Sequence, residues 1–146
     1  MVLRPLCLIY GGHATLQQVD KAFQEKGMRM YIREGYRPHA LYELVFKKRS
    51  EKFGEEDTRR IMNMEDRPHA SGKSVDIVPW DPKTNQEIPA RRKEDGVPAM
   101  FIDFYKERKD EEGKRYQELQ EFMIKTMLAN GFEIGRLQEY FHFNYK

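Results

Sequence analysis

Residues 67–79 of the chain read RPHASGKSVDIVP, and the strand that this stretch predicts organises the rest of the fold. The segment 73–78 is short and largely apolar, which is typical of a buried β-strand, and Pro79 should end it. Asp76 lies between two apolar, β-branched residues within that strand. Burying a carboxylate in such surroundings is costly unless it is paired or bound to a metal ion. We therefore expect Asp76 to have a cationic partner.

Sequence patterns outside this stretch predict a mixture of helices and strands. Leu16, Val19 and Phe23 recur at helical spacing, which predicts a helix between an N-cap at Thr15 and a stop at Gly27. Further expected elements are a strand over 28–33, a helix from Pro38 with Leu41, Leu44 and Val45 on one side, a short helix over 55–62, a surface excursion over 80–98, a long helix over 111–130 and a strand over 140–145. Because no regular βαβ alternation is present, we predict an α+β fold with a small, mainly antiparallel sheet and packed helices.

Composition excludes several function classes. The 146 residues suit one compact domain, and 26 basic against 24 acidic side chains leave a net charge of +2, too balanced to predict nucleic-acid binding. No apolar run approaches the ~20 residues that cross a bilayer, so we predict no membrane span. The single cysteine, Cys7, excludes a disulfide framework and a cysteine-based zinc cluster. Because the apolar part of Met1–Ala14 is short for a secretory signal, we predict a cytoplasmic location.

A second polar segment, QEYFHFNY over 138–145, places His142 in an aromatic strand with Glu139 near its start. Together with His69 and Asp76, it offers two imidazoles and one carboxylate. Three protein ligands and one open position are typical of a catalytic zinc site, in which Glu139 could serve as general base. Because Glu139 and His142 are three residues apart, a flat strand would direct them to opposite faces. Glu139 must therefore lie in a turn before the strand, or a bulge must intervene.

Each of these residues also has a simpler interpretation when taken alone. A single histidine is more often a hydrogen-bonded structural residue than a metal ligand. Asp76 could accept hydrogen bonds from backbone amides at a strand end, and Glu139 could be an exposed turn residue. Arg37 could be a surface arginine that pairs with a nearby carboxylate. The combination of these residues, rather than any one of them, indicates chemistry.

Three motifs resemble those of the zinc D-alanyl-D-alanine peptidases. The pattern R-x-H-x-x-G-x-S-x-D over 67–76 is similar to the family's S-x-H-x-x-G-x-A-x-D motif, and E-x-F-H over 139–142 is similar to E-x-W-H. The segment EGYRP over 34–38 resembles the DGYRP turn of the VanX-type dipeptidases, as do the segments 101–104 and 127–132. The resemblance extends over about residues 15–145, with the motifs in the family's order.

This resemblance implies a Hedgehog/D,D-peptidase-type fold and a single zinc D,D-peptidase domain over 1–146. One Zn²⁺ per chain would be held by His69, Asp76 and His142. Glu139 would be the general base, and Arg37 would stabilise the oxyanion. The expected substrate is D-alanyl-D-alanine, a small peptide, and the resemblance leaves the oligomeric state open. The residues implied in substrate contact are Tyr36, Ser74 and Phe141.

The chain also departs from the family's pattern. Arg67 replaces the motif's serine, Ser74 replaces alanine and Phe141 replaces tryptophan. The N-terminal segment is shorter than usual for the dipeptidases, so we expect a more open pocket. This leaves two alternatives: a D,D-carboxypeptidase or endopeptidase acting on longer peptidoglycan peptides, or a non-catalytic, metal-containing binding module of the same fold. Glu139 and Arg37 argue against the binding module, because a structural metal needs neither.

Overall fold

The computed structural model describes residues 13–146, and the opening residues, on which the predicted cytoplasmic location depends, lie outside this part. The helices are α1 (His13–Glu25), α2 (His39–Phe53), α3 (Glu55–Ile61) and α4 (Glu111–Ala129). The strands are β1 (Arg29–Glu34), β2 (Ser74–Asp81), β3 (Gln86–Glu87), β4 (Phe132–Ile134) and β5 (His142–Tyr145). Within the described residues, no helix combines the length and apolarity needed to cross a bilayer.

The strands form an antiparallel sheet in the order β1-β2-β5-β4, with β3 paired to the end of β2. This sheet and the packed helices confirm the predicted α+β class. In the register between β2 and β5, Val75 lies opposite Phe143, and Asp76 lies opposite His142. Because successive side chains of a strand point to opposite faces, Val75 and Phe143 share one face while Asp76 and His142 share the other.

The face that carries Val75 and Phe143 packs against α1 and α4 in the main hydrophobic core. The apolar residues at helical spacing in α1 face this core, as the sequence predicts, and Met123 and Met127 of α4 join them. Full burial of each large apolar side chain contributes roughly 1.5–3 kcal/mol. The core side chains that are completely inaccessible are Leu16, Val19, Phe23, Met30, Val75, Ile77, Met123, Met127, Phe132 and Phe143. The opposite face of the sheet is thereby left for polar groups.

The strand boundaries correct three predictions. β2 continues through Pro79 to Asp81, and the carbonyl of Pro79 still accepts a hydrogen bond from the amide of Ile88 at 2.9 Å. β4 was not predicted from the sequence. β5 begins at His142 rather than at Tyr140. Before the strand, Glu139 forms an isolated β-bridge with Phe101 in the loop ahead of α4, and the residues between this bridge and His142 lie outside the strand.

Two helix predictions are also corrected. Thr15 lies inside α1 rather than at its N-cap. In α2 the buried side chain is Tyr42, whereas Leu41 and Leu44 are 41% and 52% exposed. The aliphatic residues of α2 therefore do not form a core stripe, and the helix uses Tyr42 to contact the site described next.

Candidate metal and active site

His69, Asp76 and His142 meet on the polar face of the sheet, and all three are buried. Their potential ligand atoms lie within 4.8 Å of one another. Asp76 Oδ1 is 2.8 Å from His142 Nδ1 and 3.2 Å from His69 Nε2. Tetrahedral ligands at ordinary zinc bond lengths are separated by about 3.3 Å, so this donor set fits a small divalent cation such as zinc. The structure thus brings together the three ligands proposed from the sequence.

His69 is oriented by the segment that leads into α2. Its Nδ1–H donates to the carbonyl of Gly35 at 2.7 Å, so Nε2 is the nitrogen that faces Asp76 and would bind a metal. The backbone amide of His69 donates to the hydroxyl of Tyr42 at 2.6 Å, and its carbonyl accepts from the amide of Arg37 at 3.0 Å. His69 lies in a single 3₁₀ turn over Pro68–Ser71. Gly72 ends this turn with a φ of 74°, a left-handed conformation that favours glycine.

His142 is oriented from the opposite side by Asn144 and Ser74. The side-chain oxygen of Asn144 is 3.2 Å from His142 Nε2 and 2.6 Å from the hydroxyl of Ser74. Because this oxygen accepts from both groups, His142 Nε2 carries a proton, and Nδ1 is the nitrogen that faces Asp76. Gly135 backs the same ring, since a Cβ at this position would lie 2.4 Å from His142 Cδ2. The backbone at Gly135 therefore sets the position of the imidazole.

Charge interactions within the ligand set favour an ionised aspartate. Burial opposes ionisation of Asp76, but hydrogen bonds from His142 and His69 hold the pKa of its carboxyl well below its usual range. Burial acts to lower the pKa of His69, but its contact with Asp76 outweighs this effect and the pKa is raised. The buried Asp76 carboxylate is thus already stabilised by positive charge from the neighbouring imidazoles. A bound metal ion would supply that positive charge instead.

Glu139 lies in the loop before β5, where its backbone forms a bridge with Phe101. Because Glu139 precedes the strand, its three-residue spacing from His142 does not direct the two side chains to opposite faces of the sheet. The side chain is 6% exposed and faces the same cavity as the ligands. Burial, together with the negative charge of Asp76, raises the pKa of the Glu139 carboxyl to about 8. A carboxyl group in this environment can exchange a proton near neutral pH.

Arg37 lies in the same cavity and is 4% exposed. Its Nε donates to Glu34 Oε1 at 2.9 Å, and the two side chains form an ion pair. The guanidinium also stacks over the ring of Tyr42, with Cζ 4.6 Å from the ring centroid. Arg37 is therefore a buried, fixed positive charge, although it does pair with a nearby carboxylate.

The cavity has a volume of about 520 Å³. Phe141 lines it, whereas Tyr36, which is 39% exposed, and Ser74, which is 1% exposed, lie outside its lining. Arg67 replaces the serine of the family motif and also lies outside the lining, where it pairs with Glu43 of α2.

No family model matches the sequence, and no curated protein matches it. Among solved structures, the chain is similar to DacB from Streptococcus pneumoniae D39, with 16% identity and a TM-score of 0.56 over 91% of this chain and 63% of DacB. The chain therefore spans less than two thirds of DacB. The likeness is one of fold. The L-Ala D-Glu endopeptidase ChiX from Serratia marcescens matches at 16% identity with a TM-score of 0.40, over 92% of this chain and 80% of ChiX.

Four site residues were not identified from the sequence. Asn144 could have been found, because it follows His142 by two residues and shares its face of the strand. Tyr42 contacts His69 across a separation of 27 residues, and Gly135 and Arg49 also carry no local signal of their positions.

Proposed function

We propose that the chain is a zinc-dependent peptidase that hydrolyses the D-alanyl-D-alanine dipeptide, a cell-wall precursor. The main support is that two buried imidazoles and a carboxylate lie within 4.8 Å of one another beside a further buried carboxyl, Glu139. Arg37 adds a buried guanidinium to the same cavity. A structural zinc site has four protein ligands, whereas a catalytic site has three and an open position. This arrangement favours an enzyme over a binding module.

Zinc at such a site supplies Lewis-acid activation of water and of the scissile carbonyl. Glu139 accepts a proton from the attacking water and delivers it to the leaving amine. Arg37 places its fixed charge near the oxygen that becomes negative in the tetrahedral transition state. Ser74 acts through Asn144 to orient His142, and Phe141 contacts the substrate from the cavity wall.

The dipeptide is the proposed substrate because the segments 34–38 and 101–104 resemble those of the dipeptidases. A second candidate is a carboxypeptidase or endopeptidase that acts on longer peptidoglycan peptides. The cavity volume of about 520 Å³ favours this second candidate. Cavities of ~300–1,000 Å³ hold drug-sized ligands, and the dipeptide is smaller than such a ligand, so it would leave part of this cavity empty.

Release of D-alanine by the zinc-loaded protein separates these functions. We expect faster release from the free dipeptide than from a pentapeptide that ends in D-Ala-D-Ala. The variant Glu139→Gln should retain zinc and lose about 10²- to 10⁴-fold in rate, because it cannot accept the proton. Faster release from the pentapeptide would favour the carboxypeptidase. One bound zinc without release from either peptide would favour the binding module.

A further inference from the structure

The cavity lining carries more cationic side chains than carboxylates, and the cations differ in their partners. Three of them are neutralised locally. These pairs are Arg33 with Glu87, Arg37 with Glu34, and Arg136 with Glu65 and Asp66. Of the other cations, Arg91 hydrogen-bonds to Tyr140 and Lys93 is exposed.

Arg49 of α2 is different, because it is half-buried and lines the cavity without a counter-ion from the part of the chain that the structure describes. Among residues 13–146, its side chain forms no hydrogen bond or ion pair. The adjacent Lys48, by contrast, is exposed and pairs with Glu51. The positive charge of Arg49 acts on Glu139 by lowering the pKa of its carboxyl, against the larger effect of burial. Arg49 and Glu139 both line this cavity.

A half-buried guanidinium without a partner has lost part of its hydration and gained nothing in return. Its planar donors match a carboxylate, which they can bind through two parallel hydrogen bonds. The neighbouring lining contains Phe53, Ile61 and Met62, and apolar walls strengthen such a charged contact. These features describe an anion-binding position that none of the residues described by the structure fills.

We propose that Arg49 is a specificity-determining residue that binds a carboxylate of the peptide substrate. This inference rests on the proposed function, since it places the carboxylate in the same cavity as the metal ligands. The carboxylate belongs either to the C-terminus of the peptide or to an acidic side chain before the cleaved bond.

The test compares Arg49→Gln with Lys48→Gln, a matched variant that removes one charge from the adjacent position outside the cavity. The substrates are D-Ala-D-Ala, its C-terminal amide, and two pentapeptides that end in D-Ala-D-Ala and carry internal D-glutamate or D-glutamine. We expect Arg49→Gln to lower kcat/KM about 10- to 100-fold, mainly through KM, for peptides with the recognised carboxylate. Peptides without that carboxylate should be unaffected, and Lys48→Gln should behave as wild type.

Each outcome has a distinct meaning. A loss on D-Ala-D-Ala but not on its amide assigns the C-terminal carboxylate, and a loss on the D-glutamate but not the D-glutamine pentapeptide assigns the side chain. Equal losses on all four peptides, or no loss, overturn the proposal. If the wild type hydrolyses none of them, the proposed function fails. Calorimetric binding of the same peptides to zinc-loaded Glu139→Gln, with and without Arg49→Gln, then decides the inference, and equal affinities overturn it.

Discussion

Replacing Gly135 with alanine should weaken zinc binding without changing any proposed ligand. A Cβ on Gly135 would lie 2.4 Å from Cδ2 and 3.1 Å from Nε2 of His142. Carbon atoms pack at about 3.5–4.0 Å, so the imidazole would have to move by about 1 Å. Metal–ligand distances tolerate only about 0.2 Å, and the movement would also disturb the hydrogen bond of Nε2 with Asn144.

The expected loss of zinc affinity has two sources: the displacement of His142 as a ligand and the disturbance of its hydrogen bond with Asn144. Loss of an outer hydrogen bond to a metal ligand typically lowers affinity about 10- to 100-fold. Because Gly135→Ala also displaces the ligand itself, we expect the Kd for zinc to rise by at least about 100-fold. Competition with a chromophoric zinc chelator at fixed pH measures this change.

Gly113→Ala is the matched control. A Cβ on Gly113, in the first turn of α4, would lie 2.5 Å from Cβ of Arg108, so the clash is of similar severity but remote from the ligands. This variant should lower the Tm and leave the Kd of the folded protein for zinc unchanged. Wild-type zinc affinity in Gly135→Ala, or equal losses of affinity in both variants, would refute the inferred role of Gly135.

Two further predictions concern Arg37 and Glu139. Arg37→Ala should lower kcat by about 10²- to 10³-fold in the D-alanine release assay, because a charge that stabilises the transition state is lost, and a change confined to KM would reject this role. In the metal-free protein, burial raises the pKa of the Glu139 carboxyl from 4.5 to about 8. Between these two values the carboxyl is ionised in the unfolded chain but protonated in the folded one, so the free energy of unfolding falls as pH rises through this range. Glu139→Gln should therefore gain stability relative to wild type between pH 5 and pH 8, by up to about 5 kcal/mol in urea unfolding, and parallel pH profiles of the two proteins would contradict this.

The parts of the site that lie on strands were predictable from the sequence. Asp76 within an apolar strand signals a compensated charge, because an uncompensated one would be too costly to bury. The same alternation places His142 on a polar face once the strand that contains it is recognised. The family resemblance implied that these two residues bind one metal, and the register between β2 and β5 that pairs them is supplied by the structure.

Other features depend on contacts between distant segments, which local patterns do not encode. His69 is oriented by Gly35 and Tyr42, which are 34 and 27 residues away in sequence. Leu41 and Leu44 follow a helical pattern but remain exposed, because Tyr42 rather than the aliphatic residues faces the protein interior. The three-residue strand β4 is too short for a periodic signal.

The most direct test of the proposed metal centre is the zinc content of the purified protein after reconstitution and gel filtration. It should be measured alongside the variants His69→Ala, Asp76→Ala and His142→Ala, with circular dichroism to verify that each variant is folded. We expect one zinc per wild-type chain and a loss of tightly bound zinc in every folded variant. A wild-type protein that retains no zinc, or folded variants that each retain one equivalent, would contradict the proposed site.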